Sequence, residues 1–227
     1  MEWDWEFAWK ILPKLIDGVE VTVYASILAS IVALLLGLAM AIAMRSAQPV
    51  VASAVRVCIE LIRGTPLLVQ LYFTFYVLPD FGIYLSPLAA GVLTLGVHYS
   101  SYTSEVYRAG INNVDRGLWE AATALNLTRI QTWRYVIIPQ AVPPMVPVLG
   151  NYIVAMFKET PLLSMITIIE LMGQARIISN TNYRYFEPMT LVGVFFLAIS
   201  IPSVIALKYM ERRYGTLHIV HPNKSIF

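Results

Sequence analysis

Apolar residues run along this chain in long unbroken stretches, without the two-residue or three-to-four-residue alternation of half-buried strands and helices. Residues 19–44 carry no charge after Glu20, and a helix rising about 1.5 Å per residue crosses a hydrocarbon core of about 30 Å in about 20 residues. An amide left unpaired in that core finds no water, so such a run is predicted to be a spanning helix. The same test predicts further spans at roughly 58–78, 86–104, 139–157 and 189–207. The second is interrupted by Arg63-Gly64-Thr65-Pro66, where the proline removes a helical hydrogen bond and restricts Thr65, placing a break near the membrane surface. The fourth has Pro139, Pro143, Pro144 and Pro147 crowded into its first half. Residues 160–172 are apolar but too short for a full crossing, and suit a re-entrant or packed helix.

These elements amount to an all-α, polytopic membrane protein with about five transmembrane helices. Composition agrees: 58% of the 227 residues are hydrophobic and 13% charged, and the mean hydropathy is positive, a poor fit to a water-soluble domain. Membrane lipid is therefore the expected surrounding. A formal net charge of +2 gives no electrostatic case for nucleic acid as a partner.

The placement of the basic residues sets the expected orientation. With the spans threaded alternately, Arg45 and Arg56, then Arg108, Arg116, Arg129 and Arg134, then Lys208, Arg212, Arg213 and Lys224 share one side, against Lys10, Lys14, Lys158, Arg176 and Arg184 on the other. Positive residues are preferentially retained in the cytoplasm, so the N-terminus is expected outside and the C-terminus in the cytoplasm. Glu2, Asp4 and Glu6 stand where a secretory signal carries positive charge, so the first span is expected to be retained. Trp3, Trp5 and Trp9 suit an outer interfacial belt or an ordinary amphipathic stub. In the first span Ala25, Ala29, Ala33, Gly37 and Ala41 recur every four positions, a small-residue face of the kind that lets membrane helices approach closely.

Between residues 105 and 138 the composition turns from membrane-like to soluble while keeping a helical order. Leu118, Ala121, Ala122 and Leu125 form a stripe on a helix that Asp115 can cap and Asn126 can end, since Asn tolerates the left-handed conformation. Thr128 and Gln131 have the spacing of a capping box at the start of a second helix carrying Ile130, Trp133 and Ile137; Pro139 then begins the next span. The segment reads as a cytoplasmic helix-turn-helix that docks on another protein, or as an interfacial amphipathic hairpin.

The residues of this segment resemble a known family. Glu120-Ala121-Ala122, with Asn126 four residues past Ala122 and Ile138-Pro139 beyond, looks like the EAA loop of bacterial ATP-binding-cassette importer permeases, with Asn126 where the usual pattern has Gly. Arg63-Gly64-Thr65-Pro66-Leu67-Leu68-Val69-Gln70, Ser104-Glu105 with Arg108 and Gly110, and Lys158-Glu159-Thr160 resemble motifs of the polar amino-acid branch, in the family's order. Among subtypes the chain most resembles the ectoine and hydroxyectoine permeases.

That resemblance implies a single permease domain over residues 1–227 in the bacterial cytoplasmic membrane, paired with a second copy or a sister permease. It further implies cytoplasmic ATPase subunits, carrying ATP and Mg, that engage the loop through Glu120, Ala121, Ala122 and Asn126, and an extracytoplasmic substrate-binding protein. A membrane scaffold or sensor, docking a cytoplasmic partner without transport, is the rival reading.

The chemistry on the chain itself is sparse. No phosphate-binding loop, zinc-protease motif or nucleophile elbow occurs, so neither a cofactor nor a catalytic residue is expected. Cys58 is the only cysteine, which excludes an intrachain disulfide. His218 and His221 read as a solvated tail rather than a metal site. Ionisable groups in or at the edge of spans are candidates for a substrate path. Glu105 reads as such a group or as an interfacial carboxylate. Lys158 and Glu159, with Thr160 next to them, match the two ends of a zwitterion or form a salt bridge. Gln70 and Thr74, four apart on one face, offer hydrogen bonds to substrate or to a neighbouring helix, and His98 reads as a packed histidine.

Overall fold

The computed structural model describes residues 3–46 and 48–215; His218, His221 and Lys224 lie outside them. The first helix, α1, runs Trp5–Met44, roughly 60 Å of helix. Asp4 starts it by accepting the Phe7 amide at 3.0 Å. The small-residue stripe from Ala25 to Ala41 is buried and lies largely against α4, Pro87–Asn112. The approach is close enough that a Cβ on Gly37 would overlap Thr103 Oγ1, and one on Gly96 would sit 2.6 Å from Val32 Cβ. Thr103 Oγ1 also donates to the Ala33 carbonyl at 2.8 Å, so the two backbones are bonded across the contact as well as packed.

The second predicted span is two pieces. Helix α2 occupies Pro49–Gly64, with Pro49 in its first turn, where a missing amide costs nothing. Thr65 and Pro66 are extended. The chain then re-enters a helix as α3, Leu67–Tyr72, which runs through a π turn, Phe73–Val77, into a 3-10 turn, Leu78–Phe81. The helix before the break begins nine residues earlier than the apolar run at 58.

The loop helix α5, Arg116–Ala124, is capped by Asp115, whose Oδ1 accepts the Gly117 amide at 2.6 Å. Asn126 follows in the left-handed region with φ 52°, and Thr128 with Gln131 forms the reciprocal capping box that opens α6, Arg129–Gln131. The expected second loop helix does not end before the next span. It passes through a π turn, Thr132–Ile137, straight into α7, Ile138–Glu159. Pro139 is tolerated there because the π turn has already shifted the hydrogen-bond ladder in front of it.

Residues 160–172 also depart from the single short helix expected. A 3-10 helix, Thr160–Ile166, ends at Thr167 with φ 69°, and α8, Leu171–Asn182, starts after a non-helical step. Glu170, fully buried, caps α8 by accepting the Met172 and Gly173 amides at 3.0 and 2.8 Å. Thr22 of α1 accepts the Leu171 amide at 3.1 Å. The last helix, α9, is Phe186–Gly215. By length and composition, Trp5–Met44, Arg129–Ile166 and Phe186–Arg212 are each apolar enough to cross a bilayer.

The ends of α1 and α9 are tied by charge. Arg184 donates to Asp4 Oδ2 at 2.9 Å and to Glu187 Oε1 at 2.6 Å, and lies 4.6 Å from the Phe7 ring centre. The Phe7 amide, and after it the Arg184 guanidinium, holds the Asp4 carboxyl below its ordinary value.

Two predictions follow from this packing. Gly37→Leu wedges α1 from α4 and lowers the unfolding midpoint in detergent by an overpacking cost of about 1–3 kcal/mol, whereas Leu35→Ala, on the exposed face, changes it little. The depressed Asp4 contributes stability above its unfolded pKa, and that contribution is lost as pH falls through the folded value. Tryptophan-fluorescence melts should therefore lose stability below about pH 4 more steeply in the wild type than in Asp4→Asn.

Candidate substrate path and docking loop

The break at Thr65-Pro66 strips the end of α2 and the start of α3 of their normal partners, and two side chains repair it. Gln70, one turn into α3, donates its amide to the Ile62 carbonyl at 2.6 Å, the Thr65 carbonyl at 3.1 Å and Thr65 Oγ1 at 2.7 Å. Its Oε1 lies 3.1 Å from His98 Nδ1. With the proton on Nδ1, His98 donates to that amide oxygen. The packed-histidine reading of His98 holds, with a polar partner added. Arg63 fixes the other side of the break: it donates to the Ser101 carbonyl at 2.7 Å and stacks 4.8 Å over the Tyr102 ring. Thr74 Oγ1 donates to the Gln70 carbonyl at 2.8 Å. Gln70 thus bonds α3 to the end of α2 and to α4 in this structure.

Around this repaired break α4 and α7 bring aromatic rings together: Tyr99, Tyr102 and Tyr152 have pairwise centroid distances of 5.7 to 6.1 Å. Glu159, at the end of α7, has its carboxylate beside Tyr99, and its Oε2 is buried without a hydrogen-bond partner among the described residues. Lys158 does not share that environment. It lines a cavity of about 610 Å³ with Met172, Phe196, Ser200 and Lys208, and no ion pair joins it to Glu159 among the described residues. Thr160 is buried, its hydroxyl donating to the Phe157 carbonyl at 2.8 Å.

Glu105 is held on its own helix by Arg108, whose Nε lies 2.9 Å away, and is half-buried near the loop. The candidates therefore divide into Gln70 and Thr74 on α3 and the π turn, with Gln70 beside His98, Glu159 beside Tyr99, Thr160 buried against the end of α7, Lys158 in the α7–α9 cavity, and Glu105 at the loop end.

In the loop between α4 and α7, Glu120 is exposed and paired with Arg116 at 3.1 Å, and Ala121 is exposed. Ala122 is 2% exposed, so it packs the loop rather than presenting a surface. Trp119 meets Trp133 edge to face at 5.6 Å, fixing α5 against the π turn. The loop presents Leu125 and Ile130, 72% and 79% exposed, on either side of the Asn126 turn.

The residues not anticipated were Arg63, the tyrosines and Glu170. Tyr99 and Tyr102 are three apart, and Tyr152 and Glu159 seven apart, so each pair shares a helical face legible in the sequence. Glu170 lies on a non-helical step whose neighbours give no such pattern.

Residues 33–216 match the family model described as binding-protein-dependent transport system inner membrane component. A probable amino-acid ABC transporter permease protein, y4tG, of Sinorhizobium fredii is 44% identical over 205 residues, covering 90% of this chain and 89% of the relative. The glutamine transport system permease protein GlnP of Escherichia coli is 34% identical over 219 residues, covering 96% and 100%. Among solved structures, an amino acid ABC transporter with histidines superposes with a TM-score of 0.87 at 38% identity, covering 94% of this chain and 100% of that one. The MetNI methionine ABC transporter shares the fold, with a TM-score of 0.72 at 18% identity over 90% of this chain and 98% of that one.

The bonding of Gln70 makes a specific prediction. Gln70→Leu leaves the Ile62 and Thr65 groups without the side-chain donor and lowers detergent stability by about 1–3 kcal/mol, whereas Thr74→Val, which loses one bond to its own helix, costs less. Thermal melts of the two variants compare them directly.

Proposed function

The chain belongs to the family of binding-protein-dependent transport system inner membrane components, and we propose that it is the permease subunit of an ATP-driven importer of polar amino acids or related zwitterions. The similarity to amino-acid permeases over nearly its whole length carries this reading. The motif resemblance points, within that class, to ectoine or hydroxyectoine. In this reading the chain crosses the cytoplasmic membrane five times with its N-terminus outside. It pairs with a second copy or a sister permease, and receives substrate from an extracytoplasmic binding protein. Lys158, Glu159, Gln70, Thr74, Thr160 and Glu105 are the path candidates, with Glu159 the one best placed to meet a substrate charge.

Coupling falls to the loop. Separate ATPase subunits, holding ATP and Mg, seat against α5 and the Asn126 turn. Their apolar contacts are Leu125 and Ile130, which a chain with no partner would leave in water at a cost; Glu120 and Ala121 flank them. Ala122 and Asn126 act by shaping the loop, the first through burial and the second through its left-handed turn.

The test is ATP hydrolysis in proteoliposomes holding this chain, its ATPase, any sister permease and the binding protein. Stimulation by one of arginine, glutamine, glutamate or ectoine is expected, and none from a well-assembled complex would overturn the importer reading. In the same system Leu125→Asp should leave the chain inserted while abolishing co-purification of the ATPase.

A further inference from the structure

The helical stretch that leads into α7 carries positive charge with nothing opposite it. From Ala121 to Lys158 the chain has no acidic residue, and neither Arg129 nor Arg134 forms an ion pair among the described residues. Both arginines are exposed and line one groove of about 480 Å³ with Ile130, Trp133 and Ile138. These positions recur at steps of about four along α6, the π turn and the first residue of α7, and so share one helical face. The other side of the stretch is occupied. Ile137 is fully buried, and Trp133 meets Trp119 of α5 edge to face, which fixes the arginine face outward.

The groove lies at the end of a membrane crossing. Arg129 begins the stretch Arg129–Ile166, which is long and apolar enough to span a bilayer, and the ends of a span stand at headgroup level. Two kinds of surface meet there. The guanidiniums match phosphate oxygens in paired hydrogen bonds, while Trp133, Ile138 and Tyr135, the last 67% exposed, suit the glycerol and first methylenes of a lipid. Arg134 lies 5.8 Å from the Tyr135 ring centre, so charge and ring are presented together. A small water-soluble anion would use the arginines and leave the apolar wall wet, and an apolar peptide would leave both guanidiniums unmatched.

We infer that this groove seats an anionic phospholipid from the leaflet on the loop's side, its phosphate on Arg129 and Arg134 and its glycerol and upper chain on Trp133 and Ile138. The inference rests on the membrane placement in the importer reading above and adds a lipid partner beside the ATPase. Leu125 and the Asn126 turn remain the ATPase contact, and Ile130 stands at the border of the two surfaces. A zwitterionic lipid carries the same phosphate, but its own ammonium competes with the arginines for it, so phosphatidylglycerol is favoured over phosphatidylcholine.

Lipid binding is read by native mass spectrometry on the purified complex of this chain, its ATPase and any sister permease, without nucleotide or substrate, titrated with phosphatidylglycerol or phosphatidylcholine. The first phosphatidylglycerol should bind about tenfold more tightly than phosphatidylcholine. Arg129→Gln and Arg134→Gln should each weaken it about fivefold, whereas Arg134→Lys, which keeps the charge, stays within about twofold. Arg116→Gln removes another exposed cation of the same loop and should leave the affinity unchanged. Equal affinities for the two lipids, or for wild type and both glutamine variants, would overturn the site. An equal loss in Arg116→Gln would do so too, reducing the effect to general attraction by the loop's charge. Release of the ATPase from the two glutamine variants with lipid affinity unchanged would overturn it and assign the groove to the ATPase. Should one variant not assemble, the other decides. Substrate-stimulated ATP hydrolysis by the wild-type complex with its binding protein tests the importer reading separately: no stimulation removes that reading and leaves the lipid affinities standing.

Discussion

Wherever a helix breaks, amides and carbonyls lose their usual partners, and this protein breaks between α2 and α3 at Thr65-Pro66. Protein groups replace part of what is lost. The Gln70 amide nitrogen, with two hydrogens, lies within bonding distance of three acceptors at the free end of α2, and Arg63 carries a donor from that end to α4. Both repairs lean on α4, through His98 in one case and through Ser101 and Tyr102 in the other. The position of α4 is in turn set by its contact with α1, where glycine and alanine let the backbones bond across the seam through Thr103. The polar chemistry near the tyrosines is thus built on a scaffold of small residues some way from it.

The same dependence explains how burial divides the charged groups. Where a partner is present the charge is met: Arg184 joins the start of α1 to that of α9 through Asp4 and Glu187, and Arg108 pairs with Glu105 within α4. Glu159 is half-buried with its carboxylate beside the Tyr99 hydroxyl, and its Oε2 has no hydrogen-bond partner among the described residues. A soluble protein tolerates few such groups, and within a membrane segment they are more costly still. Two neighbours in sequence, Lys158 and Glu159, thereby serve different surroundings because consecutive helical residues point about 100° apart.

Features that depend on near neighbours were legible in the sequence. The caps at Asp115, at Asn126 and at Thr128 with Gln131 each involve groups within four residues, and all three stand where the spacing placed them. The buried stripe from Ala25 to Ala41 was equally plain, since period and residue size were both visible. Features that depend on distant neighbours were hidden. Nothing local says that Gln70 reaches back to Ile62, that Arg63 meets Tyr102 or that Lys158 and Glu159 part company. Pro139 stands in the first turn of α7, where the sequence placed a helix start, but the chain reaches it through a continuous π turn rather than a break. The non-helical step before Glu170 escaped because apolar composition alone cannot tell a 3-10 turn from a longer helix.

The continuity of α6, its π turn and α7 has a mechanical consequence. From Arg129 to Glu159 the backbone forms one column of roughly 45 Å, with the loop at its foot and the tyrosines near its head. Pro139, Pro143, Pro144 and Pro147 take amide donors out of the lower half, and the π turn loosens its base, so flexure concentrates there. The segment above, from Val148 to Glu159, contains no proline. It is a stiff arm of about 18 Å, so a bend of about 5° in the proline-rich half displaces Glu159 by only about 1.5 Å.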